Sequence, residues 1–143
     1  MKLLIVRHAD PDYSIDSLTP TGWKEAELLS ERLKKINIKD FYTSPLGRAK
    51  DTASLTLNKM NREATTLPWL REFHCSIARP DQPVPKSPWD WLPADWTKVP
   101  EYFDKDAWCT TNIMKNGEVD KEYQWVTTEL DKLLASHGYV REN

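Results

Sequence analysis

Four aliphatic residues in a row, Leu3, Leu4, Ile5 and Val6, open the chain without polar alternation. That pattern predicts a strand covered on both faces, as in a parallel sheet. The polar stretch DPDYSIDSL follows, with Pro11 and three aspartates as turn formers. Thr19-Pro20 reads as an N-cap with proline at the first helical position. The residues after it place Trp23, Ala26, Leu29, Leu33 and Ile36 on one helical face. KDFYTSPL predicts a second short strand. Ser44-Pro45 repeats the cap-and-proline device before a helix through Arg48, Ala49, Thr52, Ala53 and Thr56, and EATTLPWL predicts a third strand. Strand and helix thus alternate as βαβαβ, the pattern of an α/β fold with a mainly parallel sheet.

From Arg79 the texture changes. Residues 79–108 hold six of the ten prolines and four of the seven tryptophans. A disordered linker lacks such aromatics, and regular structure lacks such prolines. Residues 79–117 therefore read as an ordered excursion pinned by tryptophans, with two roles open to it: a cap over a site, or an aromatic-stapled surface loop. A last helix from about Glu118 sets Val119, Tyr123, Val126, Leu130 and Leu133 or Leu134 on one face. No repeat divides the chain, and its 143 residues read as a single domain.

Composition narrows the class. The chain is 39% hydrophobic and 29% charged, with net charge -2. Its lysines and arginines are scattered among matching acids, which points to neither a nucleic-acid nor a membrane partner. The apolar run at 3–6 is too short for a signal-peptide core or a membrane span. Cys75 and Cys109 lack a metal-binding spacing and, with no secretion signal, read as reduced thiols. The expectation is a cytoplasmic protein.

Chemistry enters at the strand ends, where parallel sheets deliver their ligands. Arg7 and His8 end the first strand, and TSPLGR follows the second. Arg48 falls in the first turn of the next helix, where free backbone N–H groups and the helix dipole favour an anion. Arginine matches phosphate bidentately and keeps its charge. Two arginines and a helix start around one histidine describe a phosphate pocket. Singly these signals are weak; their ordered co-occurrence is specific.

On the residues LIVRHADPD, LTPTGWKEA, YTSPLGRAKDTA and LREF, in that order, the sequence resembles the histidine phosphatase, or phosphoglycerate-mutase-like, superfamily. The resemblance covers residues 2 to about 73. It implies a three-layer α/β/α fold and a phosphoryl transfer that uses neither metal nor cofactor. It assigns His8 as the nucleophile, Arg7 and Arg48 as the phosphate ligands, and Glu72 as the acid that protonates the leaving oxygen. For Glu72 the plainer alternative is a surface carboxylate paired with Arg71. The implied partner is a small phosphorylated substrate or inorganic phosphate.

Two departures qualify the match. The usual Arg-His-Gly is Arg-His-Ala here, tolerable where Ala9 keeps a negative φ. The family's second histidine, at the end of a later buried strand, has no convincing counterpart. His74 belongs to another motif, and His137 stands where a helical period ends before Gly138, the expected C′ glycine. The resemblance thus implies a last strand and helix beyond residue 143, an incomplete domain, and self-association through an uncovered sheet edge. Whether such a chain is an active enzyme stays open. Hydrolysis of phosphomonoesters is favoured over mutase-type transfer; a catalytically inactive phosphate-binding remnant and a Trp/Pro-rich interaction module are the other readings.

Overall fold

Thr19 begins the first helix as its sequence predicts. Its Oγ1 accepts from the Gly22 N–H at 3.1 Å, and Pro20 takes the first helical position of α1 (Pro20–Leu33). The computed structural model describes residues 2–142 and divides into two units, Met1–Arg71 and Glu72–Asn143, each described by itself below.

In the first unit, strand β1 (Pro11–Asp12) pairs antiparallel with β2 (Ser17–Leu18). Strand β3 (Tyr42–Thr43) leads through helix α2 (Gly47–Met60) to β4 (Thr65–Thr66). β3 and β4 pair in parallel, Tyr42 with Thr65 and Thr43 with Thr66, so this segment is the βαβ unit expected of an α/β fold. Of the longer parallel sheet that the pattern predicts, the described ladders contain this one pair.

Two expectations change here. Residues 3–6 are not a buried strand: they join no ladder among the described residues, and Ile5 is 90% exposed. A uniformly apolar run is buried only when neighbouring strands take its backbone groups and helices cover both faces, and neither condition is met. The inner face of α1 is also rotated from the face the large apolar residues mark. Gly22, Ala26, Ser30 and Leu33 are buried, whereas Trp23 is 38% exposed. α1 packs against α2, whose buried positions are Arg48, Thr52 and Thr56. Small side chains on the inward face of α1 suit a close helix–helix approach. Lys59 of α2 ties this pair at its surface by bonding Glu27 and Glu31 of α1.

The second unit is built on aromatic packing. Short turns of 3-10 helix at Pro88–Asp90, Pro100–Phe103 and Trp108–Thr110 alternate with α3 (Pro93–Trp96) and α4 (Asn112–Asn116), before the long helix α5 (Val119–Ser136). Prolines start three of these short elements, Pro88, Pro93 and Pro100, where their missing N–H costs nothing. The core joins Ile77, Trp91, Cys109, Met114 and Val119, with Trp96, Tyr102 and Trp108 packed around it. Arg79 is buried, forks onto Asp81 at 2.6 and 3.0 Å, donates to the Ser87 carbonyl and lies over the Trp91 ring. The excursion at 79–117 is therefore ordered. Gly138, with φ +84°, ends α5 as the C′ residue, and Tyr139 N–H returns to the Leu134 carbonyl. No helix among the described residues is long and apolar enough to cross a membrane.

Candidate functional site

The site is assembled in the first unit from the segment after residue 6 and the N-terminal turns of α1 and α2. His8 is half-buried, and its Nδ1 lies 2.8 Å from the Ala9 carbonyl oxygen. A carbonyl only accepts, so Nδ1 carries the proton in this bond. The neutral ring then presents its lone pair at Nε2. Ala9 is not among the residues with positive φ, so alanine is accommodated where the family pattern has glycine.

The backbone beyond His8 is gripped from both helices. The Ala9 N–H donates to Thr52 Oγ1 of α2 at 3.0 Å, and that hydroxyl donates to the Arg48 carbonyl at 2.7 Å. The Asp10 N–H donates to Glu25 Oε2 of α1 at 2.8 Å. The Asp10 carbonyl accepts from the Thr19 N–H at 3.1 Å. Gly22 leaves the room this requires, since a Cβ there would lie 2.2 Å from the Asp10 oxygen. The short loop 10–18 is thus laced onto both helices, with Ser17 Oγ adding a bond to Asp51.

Arg48 is buried in the first turn of α2. Its Nη1 donates to Asp16 Oδ1 at 2.7 Å, its guanidinium lies over the Tyr13 ring, and Asp16 Oδ2 accepts from the Gly47 N–H at 2.7 Å. The Gly47 N–H, followed by the Arg48 guanidinium, holds the Asp16 carboxyl below the usual carboxylate range. The helix start expected to receive a phosphate therefore already carries an internal carboxylate. Asp16 reaches it from a left-handed backbone, φ +48°, which aspartate tolerates better than most residues.

Two candidates remain. Arg7 is exposed and makes no hydrogen bond or ion pair to another described residue. Glu72 is exposed and opens the second unit. Among the described residues no group of three or more His, Cys, Asp or Glu could hold a metal ion. Sequence reasoning singled out His8 and Arg48 but missed Asp16, Glu25 and Thr52 as parts of the same site. Thr52 carried a usable signal: it stands one helical turn after Arg48, inside the quoted stretch YTSPLGRAKDTA.

Comparison with known proteins identifies a family. The family profile described as "Histidine phosphatase superfamily (branch 1)" matches residues 3–113. A "2,3-bisphosphoglycerate-dependent phosphoglycerate mutase" of Thermoplasma acidophilum is 33% identical over 86 residues, 53% of this chain and 43% of that protein. Proteins named "Probable phosphoglycerate mutase GpmB" from Photorhabdus laumondii and Serratia proteamaculans are 30% and 29% identical, over 54% of this chain and 40% of theirs. The matched stretch thus spans less than half the length of these curated relatives. No solved structure gives a significant match.

Proposed function

The chain belongs to the histidine phosphatase superfamily, and we propose that it hydrolyses small phosphomonoesters through a phosphohistidine formed on His8. The observation that carries this reading is the Nδ1–H bond of His8 to the Ala9 carbonyl, which leaves Nε2 as the nucleophilic nitrogen. The Nε2 lone pair forms the N–P bond as the P–O ester bond breaks. The leaving oxygen takes its electron pair and a proton, which Glu72 supplies in this proposal. Water then attacks phosphorus, the N–P bond returns its pair to Nε2, and Glu72 receives the proton released from the water. Arg7 and Arg48 balance the charge on the phosphoryl oxygens, so the step asks for no metal. The same reading treats residues 1–143 as a single domain of this family, with 79–117 as a cap-like excursion.

A second reading is mutase-type transfer, favoured by the names of the relatives above. It differs in what accepts the phosphoryl group from His8: a bound product rather than water. Incubation with p-nitrophenyl phosphate should give a burst of nitrophenol and acid-labile phosphate on the protein, both lost in His8→Ala. Full activity in His8→Ala would sink the phosphohistidine reading. Interconversion of phosphoglycerates without release of inorganic phosphate would establish the mutase alternative. Phosphate binding without any turnover would leave only a phosphate-binding role.

A further inference from the structure

Resting on the phosphohistidine reading, we propose that Thr52 and Glu25 are positioning residues for His8, acting through the two peptide groups that flank Ala9. The first peptide ends in the Ala9 N–H, which Thr52 Oγ1 accepts at 3.0 Å. The second joins the Ala9 carbonyl to the Asp10 N–H. Its carbonyl accepts from His8 Nδ1 at 2.8 Å, and its N–H is held by Glu25 Oε2 at 2.8 Å. Carboxylate, peptide and imidazole thus lie in one chain of hydrogen bonds. A carboxylate on the N–H end polarises the amide and makes its carbonyl a stronger acceptor for the imidazole proton. The effect is that of a carboxylate placed directly on Nδ1, delivered through one peptide group: it selects the tautomer and fixes the ring plane.

The direction of each bond at Thr52 is fixed by its partners. The Arg48 carbonyl can only accept, so the hydroxyl proton goes there; the Ala9 N–H can only donate, so a hydroxyl lone pair receives it. Thr52 is 4% exposed, and no water replaces this bond cheaply. The hydroxyl therefore couples the helix turn that carries Arg48 to the residue that holds the His8 ring. Glu25 is exposed, where water can take over as acceptor. Thr52 is the stronger anchor on this argument.

The test uses the full chain, with p-nitrophenyl phosphate as phosphoryl donor and inorganic phosphate as the binding probe. Thr52→Val keeps the shape of the side chain and removes both bonds; Thr52→Ser keeps the hydroxyl. Thr52→Val should slow phosphohistidine formation roughly ten- to hundredfold, the usual effect of misplacing a reacting group by about 1 Å. The dissociation constant of inorganic phosphate should change by a smaller factor than this rate. Thr52→Ser should restore the rate, Glu25→Ala should lose less than Thr52→Val, and Glu25→Gln should recover part of that loss. Heteronuclear NMR of His8 supplies a readout independent of activity: the Nδ1-protonated tautomer of the parent should give way to a mixture in Thr52→Val. An unchanged rate and tautomer in Thr52→Val would overturn the proposal, as would equal losses in Thr52→Ser and Thr52→Val. A parent protein that never forms acid-labile phosphate would overturn the enzymatic reading, while the tautomer comparison still decides whether Thr52 positions His8.

Discussion

Gly47→Ala is the substitution that probes the Arg48 site most directly. Glycine is required at this position for clearance, because its φ is not left-handed. A Cβ built on Gly47 would lie 2.1 Å from the Asp16 carbonyl oxygen, whereas ordinary contact begins at 3.4 Å. The obstacle is backbone, so no rotamer change relieves it, and residue 16 must retreat by roughly 1 Å or more to restore van der Waals distance. Asp16 makes its two bonds to the helix start, to Gly47 N–H and Arg48 Nη1, at 2.7 Å each. The same retreat would take both past hydrogen-bond range, to about 3.7 Å or more. Overpacking of this kind costs about 1–3 kcal/mol. If the first unit melts as a domain of its size, each kcal/mol lowers its Tm by roughly 4–8 °C. Thermal unfolding followed by far-UV circular dichroism measures the loss, and calorimetry with inorganic phosphate reports on Arg48. A parental melting temperature in Gly47→Ala would refute the clearance argument. A lowered Tm with parental phosphate affinity would show that the Asp16 contact does not govern how Arg48 receives an anion.

Two further outcomes follow from contacts elsewhere. Glu31 is held down to about 2, first by its hydrogen bond to Lys34 and then by that to Lys59. Its folded-state value is depressed, so its contribution is present above its ordinary titration range and disappears as pH falls toward about 2. Acid unfolding curves of the parent and Glu31→Gln should therefore converge over that interval, and parallel curves would show that the contact is fully screened. In the second unit, Trp91→Ala empties the centre of the core and should cost about 3–5 kcal/mol, read as loss of near-UV circular dichroism and a lower Tm; an unchanged near-UV spectrum would argue against Trp91 as the organising ring.

The helix starts were legible because they are local. Thr19-Pro20 caps α1 from its own residues. The second start was read less well, since α2 begins at Gly47 after Leu46 as N-cap, and the Gly47 N–H is taken by Asp16, distant in sequence. The inner face of α1 was misjudged for a related reason: hydrophobicity selects Trp23 and Leu29, whereas a close helix neighbour selects Gly22, Ala26 and Ser30. Residues 3–6 show the limit of pattern reading, since their burial depends on partners that a pattern of four apolar residues does not contain. In the site, motif spacing identified His8 and Arg48, the proposed nucleophile and phosphate ligand. It did not find Thr52 and Glu25, whose roles depend on where the peptide groups of residues 9 and 10 point.

The open backbone of residues 3–6 leads straight into Arg7 and His8. Thr52 and Glu25 hold the backbone that follows His8, and no described residue holds by a backbone hydrogen bond the stretch that precedes it. An apolar segment with unpaired amides is a template for a strand donated by another molecule. A donated strand would steady the approach to His8 as well as cover the four aliphatic side chains.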